Sequence, residues 1–220
     1  MASVLHNIIN GSDGVDDTLY GTDLDDELNG FGGNDTLSGS LGNDTLNGGT
    51  GDDYFFDWMG TNTFDGGEGN DYFYLWSGPL PPFSWSGDQR VTSGAGSDVF
   101  RLSYYPFPDP LMGPPPQVVI TDFTVGIGGD WLSVSDYSYD LAGYGNPFDP
   151  ALGFLAFSQV GPDAVLLLDY DGAAGPQSWV SIATLQGVTA TDLVEGKRSP
   201  PCSVNVNFPE IYAAAKISMS

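Results

Sequence analysis

Large apolar residues recur every nine positions through the first half of the chain. Each is separated from the next by polar or small residues: Leu19, Leu28, Leu37, Leu46, Phe55, Phe64, Phe73, Val91 and Phe100. Because a β-strand directs alternate side chains to opposite faces, one apolar residue between polar neighbours predicts a short strand that buries a single side chain. Such a strand cannot close a core alone, so successive copies must stack on one another.

The residues between these apolar positions predict tight turns. The copies that begin at Gly21, Gly30, Gly39 and Gly48 have the sequences GTDLDDELN, GFGGNDTLS, GSLGNDTLN and GGTGDDYFF, and a leading copy begins at Ser12. Glycine is favoured where a turn needs a positive φ or a close approach of the backbone. The pattern predicts an all-β fold, a right-handed parallel β-roll with two short-stranded sheets. One full coil is two copies, or 18 residues.

The charge of the chain narrows its possible partners. The sequence has 29 acidic and 5 basic residues and a formal net charge of −24. Such a surface repels nucleic acid and anionic membranes. The N-terminal apolar stretch is too short for a signal peptide or a membrane span.

In the predicted roll the sixth residues of successive copies alternate between two edges. The spacing continues from residue 21 to 101 without an insertion, so we expect one edge to contain Asp17, Asp35, Asp53, Asp71 and Gln89, and the other Asp26, Asp44, Asn62, Leu80 and Asp98. Carboxylates stacked at the parallel-strand spacing of about 4.8 Å repel one another strongly unless a cation lies between them. Calcium suits these edges because it accepts six to eight oxygen ligands in flexible geometry. The alternatives are an acidic linker without ligand and an EF-hand, which Leu28 disfavours because it occupies the position of the required glycine.

These copies resemble the RTX, or haemolysin-type, calcium-binding repeats G-G-x-G-x-D-x-U-x. The resemblance covers residues 12–101, strongly to residue 74. It implies roughly four to five calcium ions, held by turn carbonyls and sixth-position side chains of stacked copies. The implied ligands are Asp17, Asp26, Asp35, Asp44, Asp53, Asp71, Gly30, Gly32, Gly39, Gly48, Gly66, Asn62 and Asp98. Leu80 and Gln89 depart from the motif, so the roll is expected to loosen there.

Four aromatic residues are predicted to pair on the outer face of one sheet, one coil apart: Tyr54, Phe56, Tyr72 and Tyr74. An exposed apolar patch of this kind is seldom left without a partner. The C-terminal segment could fold over it, which we consider the better explanation. The alternative is a surface that binds a polysaccharide or another protein.

The composition changes after residue 101. Prolines in SYYPFPDPLMGPPP predict a connector, and strands are expected at residues 118–121, 131–135, 164–169 and 179–182, with a short one near Leu185. The phrases ITDFTVGIGGDWLSV and LLLDYDGAAG resemble the C-terminal regions of serralysin-type and other type I secreted RTX proteins. That resemblance implies a terminal calcium site with Asp122 and Asp130, although both could be ordinary turn residues.

The predicted organisation has five parts: a lead (1–11), the repeat roll (12–102), a proline-rich connector (103–116), a smaller β-rich C-terminal region with secretion determinants (117–197) and an atypical tail (198–220). The tail contains the single cysteine, Cys202, which cannot form a disulfide within the chain.

No catalytic motif stands out in the sequence. The chain has no H-E-x-x-H or G-x-S-x-G sequence, and Asp169 with Asp171 is better explained as an Asp-Gly turn than as an acid and base pair. The resemblance therefore implies a non-enzymatic calcium-binding protein, exported by a bacterial type I secretion apparatus and folded by extracellular calcium.

Overall fold

The computed structural model of the chain describes residues 6–57, 59–77, 79–80, 84–85, 87–104, 116–126, 128–134, 148, 150–151, 153–169, 172–175 and 179–194. The predictions for the tail, for Cys202, for Asp171 and for most of the connector lie outside the described residues.

Short strands dominate the structure. In chain order they are β1 Asn7–Asn10, β2 Thr18–Tyr20, β3 Asp26–Gly32, β4 Thr36–Ser38, β5 Thr45–Thr50, β6 Tyr54–Asp57, β7 Asn62–Glu68, β8 Tyr72–Ser77, β9 Pro79–Leu80, β10 Ser84–Trp85, β11 Gln89–Ala95, β12 Val99–Tyr104, β13 Val118–Ile120, β14 Trp131–Ser133, β15 Leu155–Val160, β16 Asp163–Leu168 and β17 Val180–Leu185. A 3₁₀ turn covers Gly172–Ala174, and a short helix, α1, covers Ala190–Val194. Within the described segments no helix is long and apolar enough to cross a membrane.

Two large sheets form the roll. Sheet A has the spatial order β1-β3-β5-β7-β11-β13-β17-β16-β15, and sheet B has the order β14-β12-β8-β6-β4-β2. Within the repeats every neighbouring pair is parallel, and consecutive strands of the chain alternate between the sheets. Thr18 pairs with Thr36, and Thr36 with Tyr54, so one coil takes two copies as predicted. The prediction of an all-β parallel roll is confirmed.

The repeat register is interrupted after β8, which the sequence did not predict. Strands β9 and β10 pair antiparallel to form a separate two-stranded sheet. The next coil therefore begins one copy late: Gln89 pairs with Asn62 in sheet A, and Val99 pairs with Tyr72 in sheet B. The expected edge positions of Gln89 and Asp98 are wrong, because a looped-out segment as long as one copy moves every later residue to the opposite sheet.

The core of the roll is a double row of the repeated apolar residues. From Leu28 to Phe100 each of them is 0% exposed, and Leu19 is 9% exposed. Phe73 stacks between Phe55 and Phe100, with ring centroids 4.8 and 5.2 Å apart, and the edge of Phe64 meets Phe55 and Phe73. Burial of these rings is the main apolar contribution to the stability of the roll.

Glycine permits the coils to stack closely. Gly51 has a φ of 123°, and a Cβ atom there would overlap the carbonyl group of Gly33 in the preceding coil. Among the described residues, two that are not glycine also have a positive φ: Phe31 near the end of β3 at 72°, and Ser40 at 79°. The turn backbone is thus set by stacking even where the residue is not glycine.

The second half of the chain continues both sheets of the roll. Strand β13 pairs with β11 in sheet A, and β14 pairs with β12 in sheet B. Strand β17 then joins β13 in parallel, and β16 and β15 follow in an antiparallel arrangement. Strand β17 unites the two short strands expected around residues 179–185, and the sequence prediction missed β15. Strands β17, β16 and β15 thus extend sheet A at its end, whereas β14 is the end strand of sheet B.

The stacked phenylalanines give a test of the core. Replacing Phe73 with Ala should lower the free energy of unfolding by about 3–5 kcal/mol, because the cavity would lie between Phe55 and Phe100. Urea unfolding in saturating calcium measures this loss. Leu24 is 44% exposed in a turn, and Leu24→Ala should change the stability by less than about 0.5 kcal/mol. Equal losses in the two variants would contradict the proposed core.

Candidate metal centre

Hydrogen bonds between coils join the sixth-position carboxylates along one edge of the roll. The amide of Asp17 donates to Oδ1 of Asp35 at 2.7 Å, and the same contact recurs along the edge. We call this column the first edge; its residues are Asp17, Asp35, Asp53, Asp71, Asp98 and Asp130. The donor to acceptor distances run from 2.7 to 3.1 Å. Each carboxylate therefore fixes the turn of the preceding coil through one of its two oxygens.

The opposite column, the second edge, loses its charge partway along. The amide of Asp26 donates to Asp44 at 2.8 Å, and the amide of Asp44 donates to Oδ1 of Asn62 at 2.9 Å. Asn62 uses its amino group to donate to the carbonyl of Met59. Gln89 follows in the next coil and donates to the carbonyls of Gly60 and Gly87. The second edge thus has carboxylates only in its first two described coils.

The remaining carboxylate oxygens of both edges have few partners. Oδ2 is buried without a hydrogen-bond partner in five of these residues: Asp35, Asp44, Asp53, Asp71 and Asp98. Their side chains are 0 to 2% exposed. A buried carboxylate oxygen without a donor is energetically costly, so each of these atoms needs a cation or a proton. The first coil differs, because Oδ2 of Asp17 accepts from the amide of Ser12 and Oδ2 of Asp26 accepts from Thr22.

A second oxygen approaches the unpartnered one in each turn. A Cβ atom on Gly30 would overlap both Oδ2 of Asp35 and the carbonyl oxygen of Gly48 in the next coil. Gly48 stands in the same relation to Asp53 and the carbonyl of Gly66. The absence of a side chain at these glycines therefore leaves a small cradle lined by oxygen atoms. This donor set fits calcium, which takes carboxylate and backbone carbonyl oxygens together.

Most of the ligands predicted from the sequence come together in these cradles. Gly39 lies beside Asp44, and Gly66 lies beside Asp71 and the carbonyl of Ser93. Gly32 does not belong to this set, because its neighbours are Thr50 and Asp13. No group of three or more acidic, histidine or cysteine side chains gathers at one point in the described segments. An ion in a cradle would therefore take most of its ligands from the backbone.

Asp130 shows how far the first edge extends. Its Oδ1 accepts from the amide of Asp98 at 3.1 Å, and its Oδ2 accepts from the amide of Thr124 at 2.7 Å. Asp122 accepts from the amides of Ser93 and Gly94 instead. Asp130 thus repeats the contact of a sixth-position aspartate beyond the nonapeptide copies. In the sequence its signals were the glycine-rich turn GIGGDW and the resemblance that named it together with Asp122.

Burial raises the pKa of most carboxyl groups in the two edges. Loss of hydration, together with the neighbouring carboxylates, raises the pKa of Asp44, Asp53 and Asp130 to about 6 and that of Asp71 to about 7. The pKa of Asp35 and Asp98 is raised by burial as well. Asp26 is the exception: burial is outweighed by hydrogen bonds from Thr22 and Asn7, which lower its pKa.

These shifts predict that acid stabilises the calcium-free roll. Each raised pKa means that the folded chain binds more protons than the unfolded chain, whose carboxyl groups titrate near 3.8. The free energy of unfolding should therefore rise as the pH falls through about 7 towards 4, and should be lowest above that range. The β signal in far-ultraviolet circular dichroism, followed in excess chelator from pH 8 down to pH 5, measures the change and should increase as the pH falls. A calcium-free roll that is more stable at pH 8 would contradict this account.

Comparisons with known proteins found one family model and a solved structure that match the chain. The family model of the RTX calcium-binding nonapeptide repeat (4 copies) matches residues 12–46 and 38–73. No curated protein matches the chain. Among solved structures, the solution structure of the AlgE6R3 subunit from the Azotobacter vinelandii mannuronan C5-epimerase matches at 21% identity and a TM-score of 0.29. That match covers 91% of this chain and 94% of the other.

The family model ends at residue 73, just before the copy at which β9 and β10 leave the roll. It begins at Ser12, the first residue of the leading copy, and it spans the aspartates of the first three coils. Its repeats bind calcium, as the oxygen cradles of the structure also indicate. Residues 12–73 therefore belong to the RTX family of calcium-binding nonapeptide repeats.

Proposed function

We propose that the chain is an exported, non-enzymatic protein whose roll folds when calcium enters the cradles between its coils. The observation that supports this most directly is the column of buried Oδ2 atoms without hydrogen-bond partners at Asp35, Asp53, Asp71 and Asp98. Their mutual repulsion opposes folding, and bound calcium removes it. The free energy of binding then becomes free energy of folding, because the cradles do not exist in the unfolded chain.

The ligands of each ion follow from the cradles. The Oδ2 atoms of the sixth-position aspartates would bind the metal together with turn carbonyls of the next coil, such as those of Gly48 and Gly66. Calcium would supply positive charge and up to eight coordination positions. The protein contributes a fixed spacing between coils, which its own amide to Oδ1 hydrogen bonds set.

Calcium-dependent folding also suits export. At the low calcium concentration of a cytosol the acidic repeats would stay unfolded and could pass through a narrow type I secretion channel. Extracellular modules bind calcium with dissociation constants of roughly 10⁻⁴ to 10⁻³ M, so the roll would fold only after release. A chain that is held folded by calcium before export should block its own secretion. Co-expression with a type I apparatus, with the chain assayed in the medium, tests this step.

A calcium titration tests the folding switch. In excess chelator at pH 8 the far-ultraviolet circular dichroism should lack the β signal of the roll, and millimolar calcium should induce it steeply and cooperatively. Asp53→Asn/Asp71→Asn should raise the calcium concentration at the midpoint, because two cradles of the first edge lose a carboxylate. Asp65→Asn removes one charge from an exposed position and should leave the midpoint unchanged. A roll that is fully folded in chelator at pH 8 would refute the switch.

The outer aromatic face supports a second candidate function, binding of a polysaccharide. Tyr54 stacks on Tyr72 with ring centroids 5.2 Å apart, and Arg101 lies 5.1 Å from the centre of the Tyr74 ring. Tyr20 meets the edge of Phe56 and is 59% exposed, and Tyr54 is 40% exposed. Flat aromatic rings on a sheet present faces on which sugar rings can pack. This face lies on sheet B, whereas β15, β16 and β17 belong to sheet A.

A glycan pull-down in the presence of calcium tests whether this face binds a polysaccharide or has only a structural role. Tyr20→Ser/Tyr54→Ser should abolish binding to a polysaccharide while the unfolding midpoint in saturating calcium changes little. Substitution of two exposed residues on the other sheet, Ile8→Ser and Val160→Ser, is the matched control. If the tyrosine variant instead loses stability without any ligand effect, the face is structural.

A further inference from the structure

One copy of the repeat carries its carboxylate at an unusual place. The copy that begins at Asp57 has the sequence DWMGTNTFD, with Asp57 first and Asn62 sixth. The well-matched copies have glycine first and aspartate sixth, as in Gly48 and Asp53. The acidic residue has thus moved from the sixth position to the first within the same copy. Asp57 ends strand β6 and is 2% exposed.

The side chain of Asp57 points into the cradle of the preceding coil. Its Oδ2 accepts from the amide of Gly39 at 2.8 Å, and its Oδ1 accepts from the amide of Met59 at 3.3 Å. A Cβ atom on Gly39 would overlap Oδ2 of Asp44 and Oδ2 of Asp57 at once. The two carboxylate oxygens therefore lie within a few ångströms of each other, one from each of two adjacent coils.

Other cradles have a different second oxygen at this point. Next to Gly30 and Gly48 it is the backbone carbonyl of the following coil. Next to Gly39 it is Oδ2 of the Asp57 carboxylate, so an anionic oxygen takes the near position that a neutral carbonyl oxygen has beside Gly30 and Gly48. The replacement falls where the second edge loses its own charge, since Asn62 and Gln89 follow Asp44 on that edge.

The pair needs a positive charge between its members. Asp44 is 1% exposed, and its Oδ2 has no hydrogen-bond partner in the structure described. Two carboxylates this close in a buried site repel each other strongly unless they share a proton or bind a cation. Asn62 cannot supply this charge, because its amino group is neutral and donates to Met59.

We propose that Asp57 and Asp44 form a two-carboxylate calcium site, with Asp57 as a ligand that lies outside the repeat motif. This site rests on the proposed calcium function of the roll, and it differs from the other cradles by its additional negative charge. Affinity for calcium rises with the number of charged ligands, so this site should hold its ion more tightly than the single-carboxylate cradles.

Isothermal titration of the full chain with calcium, with circular dichroism as a second readout, tests the site. Asp57→Asn keeps the size of the side chain and an acceptor for the Gly39 amide but removes the charge. We expect it to bind one calcium ion fewer than the unmodified chain, or to bind that ion about tenfold more weakly. Asp65→Asn makes the same chemical change at an exposed position and should bind as the unmodified chain does.

A second variant guards against a general defect in folding. Asp57→Gly/Asn62→Asp gives this copy the ordinary arrangement of glycine first and aspartate sixth, and it should recover the lost ion. At a calcium concentration about tenfold above the folding midpoint of the unmodified chain, both variants should show the same β signal as the unmodified chain.

The outcomes separate this inference from the proposed function. If the unmodified chain binds no calcium, the function itself fails. If the unmodified chain binds calcium and Asp57→Asn matches it in stoichiometry and affinity, the pair shares a proton only and the two-carboxylate site is refuted. Greater stability of Asp57→Asn in chelator is expected in either case, because the repulsion with Asp44 is removed, so only the calcium measurements decide.

Discussion

Repulsion between stacked carboxylates is the constraint on which the rest of the structure depends. Each coil places an aspartate above that of the preceding coil, and the apolar residue two positions later places a leucine or phenylalanine in the core. The chain cannot gain the burial of Phe55, Phe73 and Phe100 without also bringing the charges of Asp53, Asp71 and Asp98 together. The same coil geometry therefore provides the stabilising and the opposing contribution. A cation or a proton decides which of them is larger.

The two carboxylate oxygens of the edge aspartates have different roles. Oδ1 accepts a backbone amide from the neighbouring coil and so fixes the register of the stack. Oδ2 faces the glycine of its own copy and remains without a donor in four of them: Asp35, Asp44, Asp53 and Asp71. An asparagine preserves the first contact and loses the second function, as Asn62 shows on the second edge. The fold can therefore tolerate the loss of a charge in one coil while the binding capacity of that coil changes.

The sequence predicted the roll well because the repeated apolar residues and the repeated glycines each have a structural cause. The nine-residue spacing of the apolar positions sets the strands, and glycine at positions such as Gly51 permits the close stacking. The site was predicted in part: the cradles at Gly30, Gly48 and Gly66 contain the expected aspartates, whereas Gly32 lies elsewhere.

Three features escaped the sequence analysis for identifiable reasons. The segment that loops out between β8 and β11 is as long as one repeat, so it leaves the spacing of the sequence unchanged while it exchanges the two sheets. The place of Asp130 on the first edge lies 32 residues from Asp98, which no nine-residue count can find, although the resemblance had named Asp130 as a candidate. Asp57 occupies a glycine position, so a search for the motif treats it as a defect.

The antiparallel pair β9 and β10 also has a consequence for how such a chain can change in length. Parallel stacking continues directly from β7 to β11 and from β8 to β12, as if the intervening residues were absent. Neither large sheet uses β9 or β10 as a member. The part of the segment that carries β9 and β10, before Gly87 packs on Gly60 and Thr61, is therefore a permissive point. Evolution could lengthen the protein there, and a designer could insert a reporter peptide there, without breaking the pairing of the large sheets.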